Sequence, residues 1–220
     1  MEPRLNILKL SLGHVIKAFC SKGDIFYAKT GSIVSIKGET QIESVLHGGI
    51  IKSALRVFGG ENVFINKVTC VSENAEVILG TLFPSEIVEI QVDGSLIIAD
   101  SSYLAHTGNI SLSADIGYLT SVFAGSGLMF LKAEGKGKLY LAGGEAVFME
   151  ELKENEHIYI DNSAFLATYD KTRIDKQIIG KGIVSKFFSS EGIVFKLYGP
   201  TKVWYQTEGI SSILNMIKLK

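Results

Sequence analysis

Four histidines, two cysteines and a few serine and glycine pairs are the residues here that could do chemistry, and their spacing argues against it. Metal ligation needs three or four donors converging on one point. His14, His47, His106 and His157 are scattered, with no HxH or HExxH spacing, and neither Cys20 nor Cys70 has a CxxC partner or a histidine pair beside it. His106 precedes Gly108-Asn109, where a turn is expected, and His157 precedes a strand, so each is read as a surface or structural histidine. Ser101-Ser102 and Ser189-Ser190 invite a nucleophile reading, yet neither lies in the G-x-S-x-G elbow that exposes one. Gly125-Ser126-Gly127 and Gly135-Lys136-Gly137 look like phosphate loops until their context is read. A phosphate loop opens a helix with Gly-Lys-Ser/Thr, and here strands follow. The sequence nominates no catalytic residue, no metal ligand and no cofactor-binding residue.

Lys29, Asp100 and Asp161 recur at matched places along the chain, to within one residue. Around a threefold axis the three side chains could converge and pair. At exposed strand ends such pairs contribute only ~0–1 kcal/mol, and solvent is the expected environment. Phe64, Phe130, Phe195 and Trp204 occupy strand positions read as core. Stacking platforms for bases need exposed aromatics beside basic residues, a pairing the sequence does not display.

The elements that carry these residues repeat. Tyr27-Ala28-Lys29-Thr30-Gly31-Ser32-Ile33-Val34, Ile98 to Ala105 and Ile160 to Ala167 share one pattern of apolar, small or acidic, polar turn and apolar pair. Matching quartets follow at Val63–Asn66, Met129–Lys132 and Val194–Leu197; Phe64 to Phe130 spans 66 residues and Phe130 to Phe195 spans 65. Self-similarity at a fixed period marks a repeat architecture. We expect an all-β body of three sandwich repeats, approximately 20–93, 94–156 and 157–209, around a pseudo-threefold axis, with 210–220 as a C-terminal tail. A lone all-β unit near 65 residues would be marginal, so 1–220 should fold as one body.

Alternation of period two supports the strands. Glu86–Val92 alternates and is expected to stop at a turn, Asp93-Gly94. Lys136–Ala142 and Ala146–Leu152 flank Gly143-Gly144 and read as a hairpin. Ile193–Tyr198 precedes Gly199-Pro200, with Val203–Thr207 as its partner strand. Short helical segments are expected at Ile50–Phe58, 118–123 and 183–188, each ahead of a phenylalanine strand.

Composition narrows the classes. Of 220 residues, 22 are basic and 23 acidic, a net charge of −1 with no basic block, which disfavours a nucleic-acid binder. Two cysteines are too few for a secreted disulfide scaffold. No secretory leader is read in the acid- and proline-containing start Met1-Glu2-Pro3-Arg4, and no apolar run approaches the ~20 residues of a membrane span. A cytoplasmic protein is expected.

Gly48-Gly49-Ile50-Ile51-Lys52, Arg56–Asn66, Gly192–Phe195 and Gly199–Thr207, with Tyr27–Gly31 after Gly23-Asp24, resemble the altered inheritance of mitochondria 24 family across essentially the whole chain. The resemblance implies β-sandwich units related to the trp RNA-binding attenuation protein, repeated in one chain, with homo-oligomers common. It implies no established activity and no site residues. Fold kinship does not transfer RNA or tryptophan as ligands. The expected function is a non-catalytic scaffold that self-associates or docks a protein partner. The alternative is a small-ligand or nucleic-acid binding module using grooves between repeats.

Overall fold

The computed structural model describes residues 2–46, 64–114, 116, 117, 119, 122, 129–178 and 193–207, and among these it holds sixteen strands and two 3-10 turns, with Leu119 and Val122 helical. In chain order the strands are β1 (Arg4–Leu10), β2 (Gly13–Cys20), β3 (Ile25–Lys29), β4 (Ile33–Lys37), β5 (Thr40–Leu46), β6 (Phe64–Cys70), β7 (Ala75–Leu79) and β8 (Ile87–Ala99). There follow β9 (Tyr103–Ser113), β10 (Phe130–Ala142), β11 (Val147–Leu152), β12 (His157–Asp161), β13 (Phe165–Tyr169), β14 (Arg173–Ile178), β15 (Ile193–Tyr198) and β16 (Thr201–Gln206). The 3-10 turns are Asp100–Ser102 and Asn162–Ala164. Among the described residues the protein is all-β, as expected. The helical segments expected at Ile50–Phe58 and 183–188, and the tail 210–220, lie outside the described residues. Of 118–123 only Leu119 and Val122 are described.

Among the described residues all strand pairing is antiparallel. A nine-stranded sheet runs β11-β16-β13-β8-β10-β9-β3-β6-β5, beside a four-stranded sheet β1-β2-β7-β4 and a three-stranded sheet β12-β15-β14. The strands that open with the repeated quartets, β6 and β10, and β15, which contains the third, each lie between two others: β3-β6-β5, β8-β10-β9 and β12-β15-β14. A second pairing also recurs. Strands β4 with β7, β9 with β10 and β13 with β16 each skip one residue, at Val34, Leu104 and Leu166. Such a bulge bends its strand and sharpens the local twist, which suits a chain leaving a tight turn for a second sheet layer.

Three expectations about turns need correction. Strand β8 does not stop at Asp93-Gly94 but runs through it, with Gly94 opposite Gly135. Both glycines have positive φ, +126° and +138°. A side chain at Gly135 would place its Cβ 2.0 Å from the Asn109 carbonyl oxygen, so the backbones of β9 and β10 approach closely there. Gly143-Gly144 does not turn a hairpin, because β11 pairs with β16 while β10 lies between β8 and β9. The two glycines instead hold Glu86 through its backbone, Gly143 N donating to Glu86 O and Glu86 N to Gly144 O. Strands β15 and β16 are not partners either, but continue one another into different sheets.

Among the described residues three apolar clusters form the core. One packs β1, β2 and β7 over β3, β6 and the start of β9, with Tyr140 beneath. The central cluster gathers β8, β9 and β10 against Ile65, Leu166 and Trp204. The last covers the inner face of β12-β15-β14 with Ile97, Phe130 and Phe165. There Phe130, Phe165 and Phe195 meet edge to face with ring centroids 5.7 to 6.2 Å apart, the arrangement favoured by the ring quadrupole.

Candidate functional site

The described histidines have separate surroundings. His14 Nδ1 accepts the Ile87 backbone N–H at 3.1 Å. His106 is not in a turn but inside β9, fully buried, 2.8 Å from the Tyr103 hydroxyl and stacked on Tyr27 with centroids 4.6 Å apart. Burial pushes the Tyr103 phenol well above its ordinary range, keeping it neutral. His157 is exposed, and His47 lies outside the described residues, as do Ser189-Ser190 and Gly125-Ser126-Gly127. Gly135-Lys136-Gly137 is strand. Among the described residues no group of three His, Cys, Asp or Glu side chains could hold a metal ion. No helix there is long and apolar enough to cross a membrane.

Cys20 and Cys70 are free and buried, near enough for each to bear on the other's titration. Burial raises both thiols above the usual range, the opposite of the activation a nucleophile requires. Lys29 Nζ reaches out of its own repeat to the Ser101 carbonyl at 3.2 Å, in the turn that holds Asp100, whereas Asp161 accepts from Ser163 N and Oγ within its own turn. Phe130, Phe195 and Trp204 are core, as expected.

What the described residues assemble instead are two junctions and two edges, β4 and β12, that stand where a third junction would be. Strand β3 lies along β9 with Ala28 opposite Ala105 and Tyr27 opposite His106. Strand β8 lies along β13 with Ile98 opposite Ala167 and Ile97 opposite Thr168. In both, the receiving strand is buried from its first residue, Tyr103 to Thr107 and Phe165 to Thr168. Strand β4 carries the same one-residue skip and the same kind of partner, β7, yet its other side has no strand among the described residues. Val34 is 67% exposed and Ile36 39%, against 1% at Leu104 and 0% at Leu166. Strand β12, which precedes a 3-10 turn as β8 does, is likewise an edge. Closure about the expected threefold axis would require β12 on β4; they lie in different sheets, unpaired. Sequence reasoning missed this because a bare edge is a relation between strands. Its one local trace is an apolar Ile33-Val34-Ser35-Ile36 with no mid-strand charge.

A second surface corrects the expectation that aromatics and cations stay apart. On the outer face of β12-β15-β14, Lys196 Nζ lies 5.2 Å from the Tyr159 ring and 4.8 Å from Tyr198, and Arg173 stands 4.5 Å over Tyr198. Hydrogen bonds to Tyr159 and Tyr198 raise the Lys196 ammonium above its ordinary value. Tyr198 donates to Asp175 at 2.9 Å.

Comparison with solved structures returns the X-ray structure of protein SPYM3_0169 from Streptococcus pyogenes, at 19% identity and a TM-score of 0.75, over 99% of each chain. That likeness is one of fold. A comparison with curated proteins found no significant match. The family model described as mitochondrial biogenesis AIM24 matches residues 10–208. The chain belongs to that family.

Proposed function

We propose that this protein is a non-catalytic β scaffold of three related sandwich units in series, which self-associates through exposed strand edges. Cut by strand pairing, the units are β2 to β7, β8 to β10 and β11 to β16. The triplicate central strands and the triplicate bulges support that division and the likeness to the attenuation-protein fold. The observation that carries the functional reading is β4, whose counterparts β9 and β13 are each buried under a neighbouring unit's strand. A bare apolar edge is a template for another chain. We place the scaffold in the cytoplasm, a compartment that suits sparse, unpaired cysteines. Light scattering or native mass spectrometry of the full chain tests the reading. A discrete oligomer is expected, and a strict monomer at tens of micromolar overturns it.

A second reading, a nucleic-acid binding module, is favoured by the Tyr159, Lys196, Tyr198 and Arg173 face. Base stacking on aromatics beside cations contributes ~1–3 kcal/mol per base. Under this reading single-stranded RNA is retained at low salt and released as salt rises, and Lys196→Ala weakens retention. No retention at low salt removes the reading.

A further inference from the structure

Among the described residues six strands end the three sheets: β1 and β4, β11 and β5, β12 and β14. Four of them guard their edge with charge before their last residue: Arg4 and Lys9 in β1, Glu43 in β5, Glu150 and Glu151 in β11, Arg173 and Asp175 in β14. Charged side chains are how natural sheets stop edges from pairing. The other two, Ile33-Val34-Ser35-Ile36-Lys37 and His157-Ile158-Tyr159-Ile160-Asp161, carry a charged Lys or Asp only at their final residue, and neither contains proline. The two unguarded edges are also the two strands that a third junction would use.

We infer that β12 of a second copy of this chain completes β4, antiparallel, with Ile160 opposite Ser35 and Tyr159 opposite Ile36. The inference rests on the self-association proposed above and adds which edges meet and in what register. The register follows from the two junctions already formed. Ala105 and Ala167 each directly follow the skipped residue, as Ser35 follows Val34. Their partners Ala28 and Ile98 each stand five residues before the strand that begins at Ile33 or Tyr103; Ile160 stands five before Phe165. The same count therefore pairs Ile160 with Ser35. Next along, Tyr159 faces Ile36 where Tyr27 faces His106. The contact joins different surfaces of two copies, so it is heterologous and produces a closed ring or an open chain according to the rotation per copy.

Full-length chains carrying Ile36→Cys are mixed with chains carrying Tyr159→Cys and mildly oxidised, with each variant alone as control. Directly opposed residues of an antiparallel pair lie within disulfide reach, and the native cysteines are buried. A cross-linked dimer in the mixture, absent from either variant alone, is the expected result. Cross-linking of the Ile36→Cys chain to itself overturns the inference while leaving self-association intact, as does an oligomer with no cross-link. Monomers throughout overturn both. As an independent variant, Ile36→Lys should weaken association at least tenfold with an unchanged far-ultraviolet spectrum, whereas Leu82→Lys, at an exposed loop position, leaves it unaltered. Equal association of the two lysine variants counts against β4.

Discussion

Phe195 has no exposure and two aromatic neighbours set edge-on against it. Truncation there leaves a cavity that Phe130 and Phe165 cannot fill without leaving their own contacts. Phe195→Ala should cost about 3–5 kcal/mol, read as a lower urea midpoint at unchanged slope; a loss under about 1 kcal/mol would mean the cluster relaxes. The two buried thiols give a pH signature. Burial raises Cys20 and Cys70 in the folded chain, while in the unfolded chain each releases its proton near pH ~8.5. The folded state therefore holds protons that the unfolded state gives up. Stability is full below that pH and declines as pH rises through it; buried Tyr103 adds the same sign at higher pH. Urea midpoints measured from pH about 7.5 to 10.5 should fall, and Cys20→Ala/Cys70→Ala should flatten the fall. An identical slope in the variant assigns the effect elsewhere.

At the scale of elements, the crossing of β8, β9 and β10 is the least negotiable place in the sheet. Gly135→Ala drives a Cβ into the Asn109 carbonyl as well as straining a positive φ. Gly94 has the same kind of φ, but an added Cβ there would meet nothing within 4 Å. Gly94→Ala should thus cost about 1–2 kcal/mol, and Gly135→Ala clearly more, by thermal or urea unfolding. Equal costs would show that β9 gives way. The same glycines explain what could be read from the residues alone. Period-two alternation in Glu86–Val92 and Lys136–Ala142 revealed strands, and the triple Ile-Ala-Asp-type turn revealed which segments correspond. Asp93-Gly94 and Gly143-Gly144 were indistinguishable from hairpin turns, because a glycine held at positive φ inside a strand, or one packed against side chains, looks in one dimension like a glycine that reverses the chain. The aromatic and cationic face was hidden for a related reason: Tyr159, Arg173 and Lys196 meet only once three separated strands are aligned.

At the scale of the whole molecule, β8, β9 and β10, the middle unit of the proposed division, pair with strands on both sides, β3 and β13. Strands β8 and β10, each 13 residues, run unbroken where the proposed flanking units use two shorter strands. Residues of β8 enter all three apolar clusters: Ile87 in the first, Ile98 in the second and Ile97 in the third. Stacked repeats commonly unfold piecemeal because each touches only its neighbours. Here calorimetry should give one transition with matching calorimetric and van't Hoff enthalpies; two resolved transitions would mean the outer sheets melt separately. The skipped residue near the start of β4, β9 and β13 has a consequence for how such a chain can grow. On the proposed division the first unit hands a strand forward, the last receives one and the middle does both, so nothing in the rule of addition fixes the count at three. Duplication of a unit within the gene would lengthen the series without disturbing what is already there, leaving the same two ends for the next arrival.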